Sequence, residues 1–195
     1  MARNSSSTPD RRAALLDAAF GTFVRFGFRK TAMDDVAREA GISRQALYAY
    51  FDDKEALFRE SMKHGLDAAM DGVDQALANV EVDIGVRLVN AIDEWFGRLL
   101  EKRGTDGSDL GEAGRALLGT LFADYGATFE GKLARAISES PLAAACKEMK
   151  ATPQQLAETL YACVLGWKHR TRSRAVFVAQ AEQAVRLLIP KARNR

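Results

Sequence analysis

Cysteine is almost missing from this 195-residue chain, with only Cys146 and Cys163. Two thiols cannot build a disulfide framework, and a cytoplasmic address is the default expectation. Proline is as scarce, with four residues at 9, 141, 153 and 190. Between Pro9 and Pro141 no proline removes a backbone donor, so long helices meet no such obstacle there. No apolar run approaches the ~20 residues that cross a bilayer as a helix, so no membrane partner is expected. The polar, Ser-rich stretch from Met1 to Asp10 does not read as a secretory leader. The two histidines, His64 and His169, are isolated, and neither they nor the cysteines show metal-ligand spacing. No nucleophile, base and orienting acid can be nominated from spacing, so neither catalysis nor a cofactor is expected.

A dominant charge is missing too: 28 Lys/Arg face 26 Asp/Glu, a net +2. The distribution is slightly uneven. Residues 1–50 hold 8 basic against 5 acidic side chains, and the rest hold 20 against 21. A basic front end hints at a polyanionic partner without establishing one. What is present is apolar residue at 47% of the chain, enough to bury a real core in one domain or in a small module joined to a larger one.

The apolar periodicity is helical throughout. Thr8 and Pro9 suit the start of a first helix, Leu16, Ala19, Phe20, Phe23 and Phe26 form its stripe, and Gly27 ends it. Thr31 opens a second helix with Asp34 in a capping-box-like position. Met33, Val36, Ala37 and Ala40 face inward, and Gly41 is a left-handed stop. Ser43 caps a third short helix that runs through Tyr50, with Leu47 inward. Asp53 caps a fourth. Short helices joined by Ala40-Gly41-Ile42-Ser43 are unstable alone and form a helix-turn-helix when packed on their neighbours. Further helices are predicted over Val82–Lys102, Leu110–Ser138, Pro153 to about Arg170, and Ala175–Ile189. A Gly-rich connector spans 103–108, and 191–195 is a frayed basic tail.

The third helix offers Ser43, Arg44, Gln45 and Tyr48 near its start. Arg and Gln suit guanine and adenine edges in the major groove. Thr31, Tyr50 and Lys54 have the chemistry for phosphate oxygens. The plain alternative is a solvated polar face on a structural bundle. Arg3 is a candidate minor-groove arm, with a disordered leader as the simpler reading.

The stretch Phe26-Gly27-Phe28-Arg29-Lys30-Thr31 through Val36-Ala37, Ala40-Gly41-Ile42-Ser43, Leu47-Tyr48, Tyr50-Phe51 and Lys54-Glu55-Ala56-Leu57 resembles the TetR/AcrR family of bacterial transcriptional regulators. The resemblance covers roughly a quarter of the chain. It implies a homodimeric repressor that binds double-stranded operator DNA and is released by a small-molecule inducer held in the C-terminal domain. The expected architecture is all-α, with a helix-turn-helix DNA-binding domain at 1–53 and a helical ligand-binding and dimerisation domain at 54–195. Three departures bear on the operator: Gln45 where the family often has a small residue, Asp34 where it is frequently basic, and acid at Asp52-Asp53.

In the second part, Leu118, Phe122, Tyr125 and Phe129 fall on one helical face. With Trp95, Phe96, Tyr161 and Trp167 they make either ordinary core or the lining of an apolar pocket. The family resemblance favours Trp95, Phe96, Phe122, Tyr125, Phe129, Tyr161 and Trp167 as ligand-binding residues. Gly166 is a place to shrink such a pocket if it faces it. Leu156, Leu160, Cys163/Val164 and Trp167 form a stripe, as do Phe177, Ala181, Ala184/Val185 and Leu188. These two stripes close either a core or a dimeric four-helix bundle. Gly126 to Leu133 falls short of a phosphate-binding loop, lacking the Ser/Thr and the preceding strand. The alternative function is an architectural helix-turn-helix protein without an inducer.

Overall fold

The computed structural model describes residues 8–102 and 110–188. Arg3, the 103–108 connector and the 191–195 tail lie outside the described residues, as do the side chains of Thr8, Pro9 and His169. Every regular element among the described residues is a helix: α1 (Thr8–Phe26), α2 (Met33–Glu39), α3 (Arg44–Tyr48), α4 (Lys54–Ala78), α5 (Ile84–Ile92), a π-turn (Asp93–Gly97), α6 (Arg98–Lys102), α7 (Leu110–Leu118), α8 (Leu121–Ser138), α9 (Leu142–Glu148), α10 (Pro153–Arg170) and α11 (Arg174–Leu188). None is long and apolar enough to cross a membrane.

The described residues form two compact units, one of 8–68 with 102 and 110–122, the other of 69–101 with 123–188. The division falls inside α4, whereas the sequence placed a boundary at 53/54. The reason is packing: Leu57, Phe58 and Met62 of α4 are buried in the core of the first unit with Leu16, Phe23, Val36 and Leu47. Phe58 meets Phe23 edge-on with ring centroids 5.0 Å apart and Phe28 at 4.9 Å. Leu117 and Leu118 of α7 also pack on this core. Phe26, expected on the inner stripe of α1, is exposed beneath Arg25.

Several boundaries differ from expectation. Thr31 is not the cap of α2. Its hydroxyl donates backward to the Gly27 carbonyl at 2.6 Å, Ala32 takes the cap position, and Asp35 rather than Asp34 accepts the Ala32 N–H at 2.9 Å. The predicted Leu110–Ser138 helix is split at Gly119, whose φ of +55° interrupts it between α7 and α8. Leu118, at the end of α7, and Phe122, in the first turn of α8, belong to the first unit and Phe129, further along α8, to the second. Helix α9 was not anticipated. The Val82–Lys102 prediction is realised as α5, the π-turn and α6, capped by Asp83, whose carboxylate accepts the Gly85 N–H at 2.7 Å.

In the second unit, Leu88, Ile92, Phe129, Leu133, Leu160 and Phe177 are fully buried. The Leu156/Leu160/Val164 and Phe177/Ala181/Val185 stripes close this core. Arg174 grips the π-turn by two bonds to Asp93, at 2.9 and 2.7 Å, and pairs with Glu101. These contacts raise the guanidinium's pKa further, so it is a permanently charged clasp.

Candidate nucleic-acid interface and aromatic cluster

Helix α3 has five residues and cannot hold itself together. Three local devices fix it. Gly41, at φ +68°, turns the chain while Ile42 N–H donates to the Ala37 carbonyl at 2.9 Å. Ser43 Oγ accepts the Ala46 N–H at 3.1 Å. Leu47, fully buried, anchors the helix to the core. With Leu47 inward, Ser43, Arg44, Gln45 and Tyr48 are all exposed. The helix ends at Tyr48, two residues short of the expected Tyr50.

Arg44 and Tyr48 are one turn apart, and the guanidinium carbon lies 5.4 Å from the Tyr48 ring centroid. Arg44 Nη2 donates to the Tyr48 hydroxyl at 3.5 Å, and Nη1 donates to Asp34 Oδ2 of α2 at 3.2 Å. The Tyr48 hydrogen bond and the Asp34 charge both favour the charged guanidinium and raise its pKa. Sequence reasoning missed this role of Asp34. The pairing crosses ten positions, and its one visible sign was an acid where relatives often carry a base.

The phosphate candidates are less uniform. Lys54 Nζ donates to the Phe28 carbonyl at 3.1 Å and sits 4.4 Å from the Phe28 ring centroid, so its ammonium is held in place with further N–H donors left. Tyr50 is half-buried, its ring tilted against Phe51. Thr31 is buried, and its only hydroxyl proton is spent on Gly27. The start of α4 is already served by Asp53, which accepts the Ala56 N–H at 2.7 Å. Arg12 pairs with Glu60 and stacks on Phe51, tying α1 to the start of α4.

The seven aromatic candidates do not form one set. Trp95 stacks on Phe129 with centroids 5.3 Å apart, Phe96 meets Trp95 at 5.6 Å, and Tyr161 meets Phe129 at 5.9 Å. Phe122 lies instead against Gly114 in the first unit. Tyr125 and Trp167 are half-buried, on α8 and α10. Gly166 is exposed with open space beside it, so enlarging it shrinks no pocket. Trp95 is 6% exposed, and its indole N–H finds no hydrogen-bond partner among the described residues. A buried donor without a partner costs free energy, and the ring sits on a π-turn, a distortion frequent at functional sites. A cleft of about 390 Å³ nearby in sequence is lined by Gln75, Asn79, Asn90, Asp93, Glu94 and Arg98, and by none of the seven aromatics. Among the described residues no cluster of His, Cys, Asp and Glu is arranged to hold a metal ion.

Residues 15–61 match the family described as bacterial regulatory proteins, tetR family. The HTH-type transcriptional activator FasR of Mycolicibacterium smegmatis is 36% identical over 87 residues, 45% of this chain and 39% of that protein. The HTH-type transcriptional regulator RutR of Escherichia coli is 37% identical over 65 residues, 33% of this chain and 31% of its own. The matches thus span about a third to two fifths of the length of these curated relatives. The reduced form of NemR from Escherichia coli shares the fold with a TM-score of 0.68, covering 94% of this chain and 99% of that one at 20% identity.

Proposed function

Given that this chain belongs, through residues 15–61, to the tetR family of bacterial regulatory proteins, we propose that it is a sequence-specific DNA-binding transcriptional regulator. It acts in the cytoplasm as a homodimeric repressor on a palindromic operator, and a small molecule releases it. The observation that carries this reading is α3, a helix pinned by Leu47 and capped by Ser43 that presents Arg44, Gln45 and Tyr48 to solvent. Arg and Gln at the start of such a helix are the groups that read base edges in the major groove. Lys54, held at the start of α4, supplies a phosphate contact that sets register. The functional division is that of a reader at 1–53 and a sensing and dimerising part at 54–195, the reader resting on α4 and α7 for its core.

One head reads only a few base pairs, so two are needed on a palindrome. Support for self-association comes from the faces of α10 and α11 opposite the core. Thr159, Ala162 and Gly166 are exposed at helical spacing on α10, and Val176, Ala179, Gln183 and Leu187 on α11. Small and apolar side chains there suit close packing against a second copy.

The ligand reading rests on the Trp95 N–H, a buried donor that a carbonyl or carboxylate of a partly apolar molecule would satisfy. Phe96 and Phe129 pack against the Trp95 ring, and Tyr161 packs against Phe129, so apolar surface adjoins it. Helix α4 contributes to both units, so a ligand that shifts it alters the reader. Such a ligand must bind the DNA-incompetent state more tightly, because equal affinity shifts nothing. No catalytic step is part of this function. The test is selection of bound sequences from a random DNA pool, with and without a metabolite panel. A palindromic consensus lost on adding one compound is expected. Binding without sequence preference refutes the reader, and a consensus that no compound disturbs favours an architectural protein without an inducer. Because FasR is named an activator, a reporter downstream of the selected site decides the sign of regulation.

A further inference from the structure

We propose that Asp34 is a specificity-determining residue of the DNA site, acting through Arg44 and touching no base itself. This rests on the DNA-binding function above.

A carboxylate beside the reading helix opposes binding to a polyanion, so its presence asks for a reason. The fold supplies only a small one, the favourable place of an acid in the first turn of α2. Asp35, in the same first turn, already accepts the Ala32 N–H and pairs with Arg38, so α2 has its capping carboxylate without Asp34. The Asp34–Arg44 pair is exposed, at 58% and 62% of the two side chains, and exposed ion pairs add little to stability.

What the pair does is restrict a long side chain. An unrestrained arginine samples many rotamers, and ordering it on DNA costs entropy. Here Asp34 holds Nη1 from α2, Tyr48 receives Nη2 from one turn along α3, and the guanidinium lies near the Tyr48 ring. The planar group is thus oriented before DNA arrives. It carries more N–H donors than these two contacts use, and enough remain for the paired acceptors on a guanine edge. The acid also discourages Arg44 from swinging to a phosphate, where it would hold any sequence equally well.

Opposite changes in two affinities follow. Losing the Asp34 charge removes repulsion from phosphates, so binding to random DNA tightens. It also releases Arg44, so preference for the guanine weakens. A residue that only supports the start of α2 would change stability and leave base preference alone. A residue that only repels DNA would tighten specific and random binding alike.

The experiment uses the full chain, the consensus selected from the random pool, and duplexes substituted at each position. Wild type, Asp34→Asn, Arg44→Ala and the double variant are compared, with thermal unfolding confirming that each is folded. Arg44→Ala identifies the position that Arg44 reads. At that position Asp34→Asn is expected to lower discrimination about fivefold to tenfold while tightening random-DNA binding about twofold. In the Arg44→Ala background the same change should leave discrimination unaltered and only tighten binding. Unchanged discrimination in Asp34→Asn, or an equal drop in both backgrounds, overturns the proposal while leaving the DNA function standing. A wild-type protein that selects no sequence overturns both.

Discussion

Gly41→Ala tests whether the turn between α2 and α3 depends on backbone handedness alone. Gly41 has a φ of +68°, and a Cβ built there meets no heavy atom within 4 Å. No steric clash contributes, so the whole effect is conformational. An L-residue in the left-handed region costs roughly 1–2 kcal/mol. Reduced freedom of the unfolded chain offsets roughly 0.4–1 kcal/mol of that. A net loss of about 1 kcal/mol is expected, which lowers the melting midpoint of a unit this size by about 4–8 °C. The order across a series is also fixed: Gly41→Asn should cost least, because asparagine tolerates this region, and Gly41→Val most, because its branched Cβ does not. Gly131→Ala is the matched control. Gly131 is exposed in the middle of α8, and its added Cβ also meets nothing within 4 Å, but its backbone is not left-handed. There alanine should stabilise by about 0.5–1 kcal/mol. Urea and thermal unfolding of the full chain, followed by circular dichroism, measure all four variants. The reasoning fails if Gly41→Ala is neutral or stabilising, or if valine is tolerated better than asparagine.

Lys54→Ala should weaken binding to every sequence and reduce the slope of log affinity against log salt by about one unit. An unchanged slope would mean that the ammonium serves only Phe28 inside the head. Ala179→Arg, on the exposed face of α11, should yield a monomer by sedimentation without lowering thermal stability by more than about 0.5 kcal/mol. A dimer that survives it places the interface elsewhere. Burial, and then the Glu130 charge, raise the Tyr161 phenol above its usual pKa of 10. The unfolded chain therefore ionises first as pH rises. Stability present below about pH 10 is lost as pH climbs through the raised folded pKa. Tyr161→Phe should flatten that alkaline loss in unfolding measured from pH 8 to 11, and an unchanged profile would show that the phenol is not desolvated.

What could be read from the sequence was the chemistry that acts over one turn of chain. Ser43, Asp53 and Thr152 each bond an N–H three residues ahead, and all three caps were foreseen or fit the predicted starts. Gly41 was equally legible, because a left-handed stop is a property of one residue. Failures began where a local rule had two solutions. Thr31 looks like a cap for the residues after it, yet its hydroxyl reaches back to Gly27, and the cap passes to Ala32. Gly119 sits in an unbroken apolar rhythm, and nothing local distinguishes a glycine tolerated inside a helix, as at Gly131, from one that interrupts it. Phe122 lies beyond Gly119 on the same helix as Phe129 yet belongs to the other unit, a separation that a shared helical stripe does not reveal. The proposed DNA face shows the same limit in its most consequential form. Arg44 was legible as a residue type on an exposed face, but recognition depends on which way the guanidinium points. That is settled by Asp34, ten positions away on another helix, and no period of 3.6 residues brings those two side chains together. Orientation of a reading side chain is a tertiary property even when the side chain itself is in plain view.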